Sequence, residues 1–153
     1  MLKKIHHVGI VVRSIEAAYA FYRDTLSLPV HKQDIIPDQG VKAALLTIGT
    51  SEIELLEPLA AHTGVARFLE RRGEGLHHLC FETDDIVREL EATKAKGVAI
   101  LDQHPRPGLA GMICFLHPKA SHGVLIEYAQ PEWPPNPEPT PLGLGSTTQK
   151  GHK

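Results

Sequence analysis

The sequence predicts an α+β fold built from two βαβββ modules in tandem, and three observations lead there. Residues 5–9 (IHHVG) recur as residues 76–80 (LHHLC), seventy-one positions on. After each copy the apolar pattern passes from strand-like alternation to helical spacing and back to strands. Each unit then closes on a glutamate set between apolar residues, in IEL and in IEY. An internal repeat of this size says more about architecture than any single motif.

The elements follow in order. Residues 4–12 alternate, with Val8, Ile10 and Val12 on one side and His7, Gly9 and Val11 on the other, which predicts a strand. Ser14 is placed as an N-cap for a helix over 15–26, where Ile15, Tyr19, Tyr22 and Leu26 fall at helical spacing before Pro29. A strand at 30–35, a turn at Pro37–Gly40 (PDQG) and a hairpin of strands at 41–48 and 52–58 complete the first unit. A short helix in VARFLERR, stopped by Gly73, links the halves. The second unit repeats the plan. It has a strand over 76–82, a helix capped by Asp84 or Asp85 and closed by Gly97, and strands at 98–102, 112–116 and 123–129. The segment Gly108–Gly111 (GLAG) is expected to turn the chain before a strand rather than to cradle phosphate.

One domain is therefore expected over residues 1–130, with module one at about 4–60, the linking helix at about 63–73 and module two at about 75–130. Residues 131–153 change character. They are rich in Pro, then in Gly, Ser and Thr, and read as a surface tail. Sixteen basic against 18 acidic residues give a net charge of −2, which argues against a nucleic-acid partner. No apolar run is long enough to span a bilayer, so no membrane partner is expected. Two cysteines, Cys80 and Cys114, make no disulfide framework and suit reduced thiols in the cytoplasm. Tyr19, Phe21 and Tyr22 give the first helix more aromatic surface than one face needs, so a homodimer is expected.

The repeat also predicts a site. His7 and Glu54 stand forty-seven residues apart in unit one, and His78 and Glu127 forty-nine apart in unit two. Parity separates the paired histidines. His6 and His77 share faces with Val8 and Ile10, and with Leu79 and Phe81, which should pack under helices. His7 and His78 point to the opposite face, as do Glu54 and Glu127 between their apolar neighbours. If the units pair about a pseudo-two-fold axis, two imidazoles and two carboxylates surround one point. That donor set suits a single divalent ion: Co, Mn, Ni, Zn or Mg. The remaining polar residues point to less. His117 is open between a structural and a site role, Cys80 is expected to be a small buried filler, and the histidines of loops carry no assignment.

The stretches HHVGIVV, AFYRDTL, GVKAALLTIG, IELLEPL, GLHHLCFETDDI, FLHPK and GVLIE resemble the vicinal oxygen chelate superfamily, and within it the methylmalonyl-CoA epimerase family. The resemblance covers about residues 4–130. It implies modules paired into an open, metal-holding β-barrel, with His7, Glu54, His78 and Glu127 as metal ligands. It also implies one departure: an extra glutamate used as a base by some members falls at Ala43 here. The implied reaction interconverts the epimers of methylmalonyl-CoA. The metal chelates both oxygens flanking the acidic carbon and stabilises the enediolate left on proton loss. Glu127 is the candidate base and Glu54 its candidate partner. The implied partner is an acyl-CoA, with Lys119 as the candidate contact to a phosphate, and Arg106 and Lys42 as weaker ones. Three other readings share parts of this pattern. They are a glyoxalase-like lyase acting on a glutathione hemithioacetal, an Fe(II) oxygenase with two histidines and one carboxylate, and a small-molecule sequestering module without a metal. Four intact ligand positions speak against the last of these.

Overall fold

The computed structural model describes residues 1–132; the tail from Trp133 onward lies outside the described residues. Module one consists of β1 (Leu2–Val11), α1 (Ile15–Tyr19), β2 (Val30–Ile36), β3 (Val41–Ile48) and β4 (Ser51–Pro58). The linking helix is α2 (Gly64–Arg72). Module two consists of β5 (Gly75–Thr83), α3 (Ile86–Ala95), β6 (Arg106–Gly108), β7 (Gly111–Leu116) and β8 (Ile126–Gln130). The strands form one eight-stranded sheet in the order β2-β3-β4-β1-β5-β8-β7-β6. That order is a palindrome of modules. In each half the first strand pairs in parallel with the last, and the halves join where β1 runs antiparallel to β5. The sheet curls into a nearly closed barrel, the paired-module architecture that the resemblance implies.

Side-chain alternation divides the sheet into two faces. On the convex face of module one, Ala44, Leu46, Ile53 and Leu55 pack under Ile15 and Tyr19 of α1. In module two, Cys114, Leu116, Ile126 and Tyr128 pack under Ile86 and Leu90 of α3. Each large side chain removed from water here contributes about 1.5–3 kcal/mol. The caps are those the sequence predicts. The Ser14 hydroxyl accepts from the Ala17 N–H at 3.1 Å, and the Asp85 carboxylate accepts from the Arg88 N–H at 3.0 Å. Gln130 reaches across from β8 to accept the Ile86 N–H at 2.9 Å, which ties α3 to the sheet.

Three departures from the sequence expectations have physical causes. The first helix is α-helical only to Tyr19 and widens into a π-helix over Ala20–Thr25. The Leu26 N–H bonds back to the Phe21 carbonyl at 2.9 Å, and the Thr25 hydroxyl bonds to the Ala20 carbonyl at 3.0 Å. Leu26 is left 47% exposed, whereas Tyr19 is buried. Second, residues 98–102 make a single bridge, Ile100 to Leu116, instead of a strand. Both the Leu101 and Asp102 amides donate to the one Phe115 carbonyl, and the Asp102 carboxylate takes the Phe115 N–H at 2.8 Å. These bonds replace a ladder, and β7 pairs with β6 beyond them. Third, the β1–β5 register slips by one residue at three places, at Lys3, at His6 and at His77.

Among the described residues, no helix is long and apolar enough to cross a membrane. Cys80 and Cys114 are buried and unpaired.

Candidate metal centre

The concave face gathers the predicted residues at the seam between modules. His7 comes from β1, Glu54 from β4, His78 from β5 and Glu127 from β8. All four are buried, His7 completely. The two Nε2 atoms lie 2.9 Å apart. His7 Nε2 is 3.6 Å from a Glu54 oxygen and 3.8 Å from a Glu127 oxygen; His78 Nε2 is 3.4 Å and 3.2 Å from theirs. One ligand-type atom from each of the four falls within 4.8 Å of the others. A divalent ion with bonds of about 2.0–2.2 Å and angles near 90–110° holds its ligands about 2.8–3.6 Å apart. Four of the five spacings fall in that range and the fifth, His7 to Glu127 at 3.8 Å, lies just beyond it, so the donor set could hold one ion.

The doubled histidines now have an explanation. At each HH pair the register slip sets neighbouring imidazoles edge to edge: His6 Nδ1 lies 2.8 Å from His7 Nδ1, and His77 Nδ1 lies 2.9 Å from His78 Nδ1. The sequence places His6 and His77 on the helix-facing side; the slips instead turn them onto their partners. For Nε2 of His7 and His78 to present a lone pair, their proton must sit on Nδ1, where it is donated to the neighbour. His6 Nε2 in turn faces a Glu52 oxygen at 3.9 Å. The outer histidine of each pair thus fixes the tautomer and tilt of the inner one.

Small residues at matching positions make room. Gly9 pairs with His78 across the seam and Cys80 pairs with His7. A Cβ on Gly9 would lie 2.1 Å from His78 Cε1, so the imidazole occupies the space that a side chain would take. Cys80 is the buried filler the sequence suggests, with burial and the charges of Glu127 and Glu54 holding its thiol protonated.

Electrostatics favour a cation at the centre. Burial, with the Glu52 charge adding to it, lifts the Glu54 carboxyl to about 8. Burial and the neighbouring Glu54 charge raise Glu127 well above the usual carboxylate range. Burial, with a smaller push from His6, drops His7 to about 3, and burial drops His78 well below its ordinary value. The imidazoles are neutral ligands, and only a positive charge lets both carboxylates ionise here.

A cavity of about 350 Å³ opens from Glu54 and His78 and is bordered by Leu56, Phe115, Gln39 and Arg106, among others. Arg106 is held by Asp102 at 3.1 Å and lies 5.7 Å over the Phe115 ring. Sequence reasoning gave Arg106 little weight and passed over Gln39 and its neighbour Asp38, because a turn motif carries no sign of what it faces. Ala43 is buried against Val11, Leu56 and Val65, so that position offers a methyl group and no base. Lys119 is exposed in a 3-10 turn that His117 caps, its Nδ1 accepting the Lys119 N–H at 3.0 Å; His117 is structural.

A buried two-histidine, two-carboxylate cluster at the seam of paired βαβββ modules defines a class of protein. The chain matches the Glyoxalase/Bleomycin resistance protein/Dioxygenase superfamily over residues 6–115 and belongs to it. Within that class it is 38% identical over 133 residues to the ethylmalonyl-CoA/methylmalonyl-CoA epimerase of Cereibacter sphaeroides, covering 85% of this chain and 99% of that one. It is 35% identical over 131 residues to the mitochondrial methylmalonyl-CoA epimerase of Homo sapiens, covering 84% and 74%. Among solved structures, a variant of the Streptomyces coelicolor methylmalonyl-CoA epimerase in complex with 2-nitronate-propionyl-CoA matches with a TM-score of 0.82 at 38% identity, covering 85% of this chain and 98% of that one.

Proposed function

We propose that this chain is a methylmalonyl-CoA epimerase, with His7, Glu54, His78 and Glu127 holding one divalent ion, Co, Mn, Ni, Zn or Mg. The observation that carries the reading is the gathering of those four buried groups, with ligand atoms within 4.8 Å of one another, beside a cavity of about 350 Å³. The similar epimerases named above support the choice of reaction. When bound, the ion supplies Lewis-acid polarisation of the thioester and carboxylate oxygens that flank the acidic carbon. The chain supplies the proton transfers. Glu127 removes the Cα proton on one face, and Glu54, from the other module, returns one on the opposite face. Glu54 takes the part that Ala43 cannot. Leu56, Val65, Phe115 and Leu125 border the cavity and keep bulk water from the reacting carbon. Arg106 borders the same cavity, and its guanidinium would steady the anionic end of the substrate. Lys119 follows Pro118, which borders a neighbouring hollow, and is proposed to meet a CoA phosphate. Reduced, buried Cys80 and Cys114 support a cytoplasmic location. Phe21 at 52% exposure is the aromatic left for a homodimer contact, since Tyr19 packs inward.

The test is incubation of the metal-loaded protein with one epimer of methylmalonyl-CoA in deuterated water. Racemisation with deuterium at C2 is the expected result. Failure to exchange would overturn the reading, and turnover of methylglyoxal with glutathione would assign the site to the lyase chemistry instead.

A further inference from the structure

The helix α2 carries three arginines, Arg67, Arg71 and Arg72, within six residues. Among the described residues none of them has a carboxylate within ion-pair distance, whereas Arg13, Arg23 and Arg106 each have one. All three are exposed, and all three border a hollow of about 330 Å³ whose other walls include Phe68, His77 and Pro118. The walls are ordered by ring contacts. The Arg72 guanidinium sits 5.5 Å over the Phe68 ring, and Phe68 meets His77 edge-on at 5.0 Å. Arg67 is steadied by the His62 carbonyl at 2.7 Å.

This hollow adjoins the cavity at the metal centre. Gly64, His77 and Leu125 border both. Gly64 lies on their shared border and adds no bulk there: nothing lies within 4 Å of where its Cβ would be. Side by side, the two hollows span from the metal centre to guanidinium groups that have no carboxylate partner. A ligand matching them has an acidic acyl group at one end, a slender polar linker, and phosphates at the other. Guanidinium forks match phosphate oxygens two at a time, which a lone lysine cannot do.

Resting on the epimerase reading, we infer that the arginine face of α2 seats the phosphate-bearing nucleotide end of the CoA thioester, with the pantetheine arm crossing the Gly64–His77–Leu125 border. Arg71 and Arg72 take the phosphates and Phe68 supplies an apolar wall.

The test compares the parent protein with an Arg71→Ala/Arg72→Ala double variant on two substrates, methylmalonyl-CoA and the methylmalonyl thioester of pantetheine, which lacks the nucleotide. For the CoA thioester the variant should raise KM about tenfold or more and move kcat less than about twofold, the loss expected of two charge-assisted contacts far from the chemistry. For the pantetheine thioester the two proteins should share one KM. Added salt should raise the parent's KM for the CoA thioester more steeply than the variant's. An unchanged KM for the CoA thioester in the variant would overturn the inference while leaving the epimerase reading intact. Should the parent turn over neither thioester, the epimerase reading fails. Calorimetric titration of both proteins with free CoA then decides the arginine face by itself: equal affinity rejects it, and a tenfold weaker variant upholds it. Equal thermal midpoints for the two proteins exclude misfolding as the cause.

Discussion

Replacing Gly9 with alanine tests the metal centre through one methyl group. The added Cβ would stand 2.1 Å from Cε1, 2.3 Å from Nδ1 and 2.7 Å from Nε2 of His78. Ordinary contact begins at 3.4 Å, so the ring must retreat by about 1.3 Å, the difference between 3.4 and 2.1. Retreat is resisted on its other sides by His7 at 2.9 Å, by His77 at 2.9 Å and by the Phe115 ring at 5.5 Å between centroids. Overpacking of this kind costs about 1–3 kcal/mol of stability. A metal–nitrogen bond tolerates only about 0.2 Å of misplacement, so a ring moved this far no longer ligates well. Metal affinity of the Gly9→Ala protein should fall at least 10-fold to about 100-fold, the scale seen when ligand orientation is lost. Competition against a chromophoric chelator reads the affinity, and thermal unfolding of the metal-free proteins reads the overpacking separately. A Gly9→Ala protein with parental metal affinity would refute the reasoning, because His78 could not then be a ligand in the position described.

Glu127→Gln should lower kcat for epimerisation by about 10²–10⁴-fold, measured by loss of C2 deuteration. Glu54→Gln should retain metal within about tenfold, since an amide oxygen can still ligate, yet lose turnover on the same scale. Substituting His77 with alanine should weaken metal binding by about 10–100-fold through the freed tautomer of His78, read by the same chelator competition. For the metal-free protein, the sign of the pH dependence follows from the direction of each shift. Glu54 binds its proton up to about 8 when folded against 4.5 when free, so its stabilising contribution is complete below 4.5 and is lost as pH rises towards 8. His7, neutral down to about 3 when folded against 6.5 when free, contributes fully above 6.5 and loses that contribution as pH falls towards 3. Above pH 6.5 only the carboxyl effect remains, so the melting temperature of the metal-free protein should fall from pH 6.5 to 8, while that of the metal-loaded protein should not. Thermal unfolding across that range, with and without a chelator, checks it.

Most of the framework can be read from the chain because repetition is visible locally. His7, Glu54, His78 and Glu127 stand out by matching spacing, and a two-residue period assigns their face without knowledge of tertiary pairing. The register slips at His6 and His77 could not be foreseen. A slip belongs to two strands at once, and only the seam decides which residue is left over. The same reason hid the loss of a strand at 98–102, where Asp102 trades ladder bonds for side-chain bonds to β7. Arg67, Arg71 and Arg72 carried no assignment in the sequence, because their significance lies in what the fold brings opposite them: Phe68 against His77, with Pro118 beyond. The doubled histidine was the one local sign of the slips, a pair of identical rings where strict alternation needs only one.

The palindromic strand order carries a consequence for assembly. Each half contributes one nitrogen and one oxygen donor, so neither can complete the coordination sphere without its twin. A bound ion would act as a rivet through the joint between β1 and β5, and its binding energy would count directly toward keeping the two lobes docked. Severing the connector at α2 should give fragments that reassociate only when the ion is supplied, a half-molecule complementation with metal as its switch.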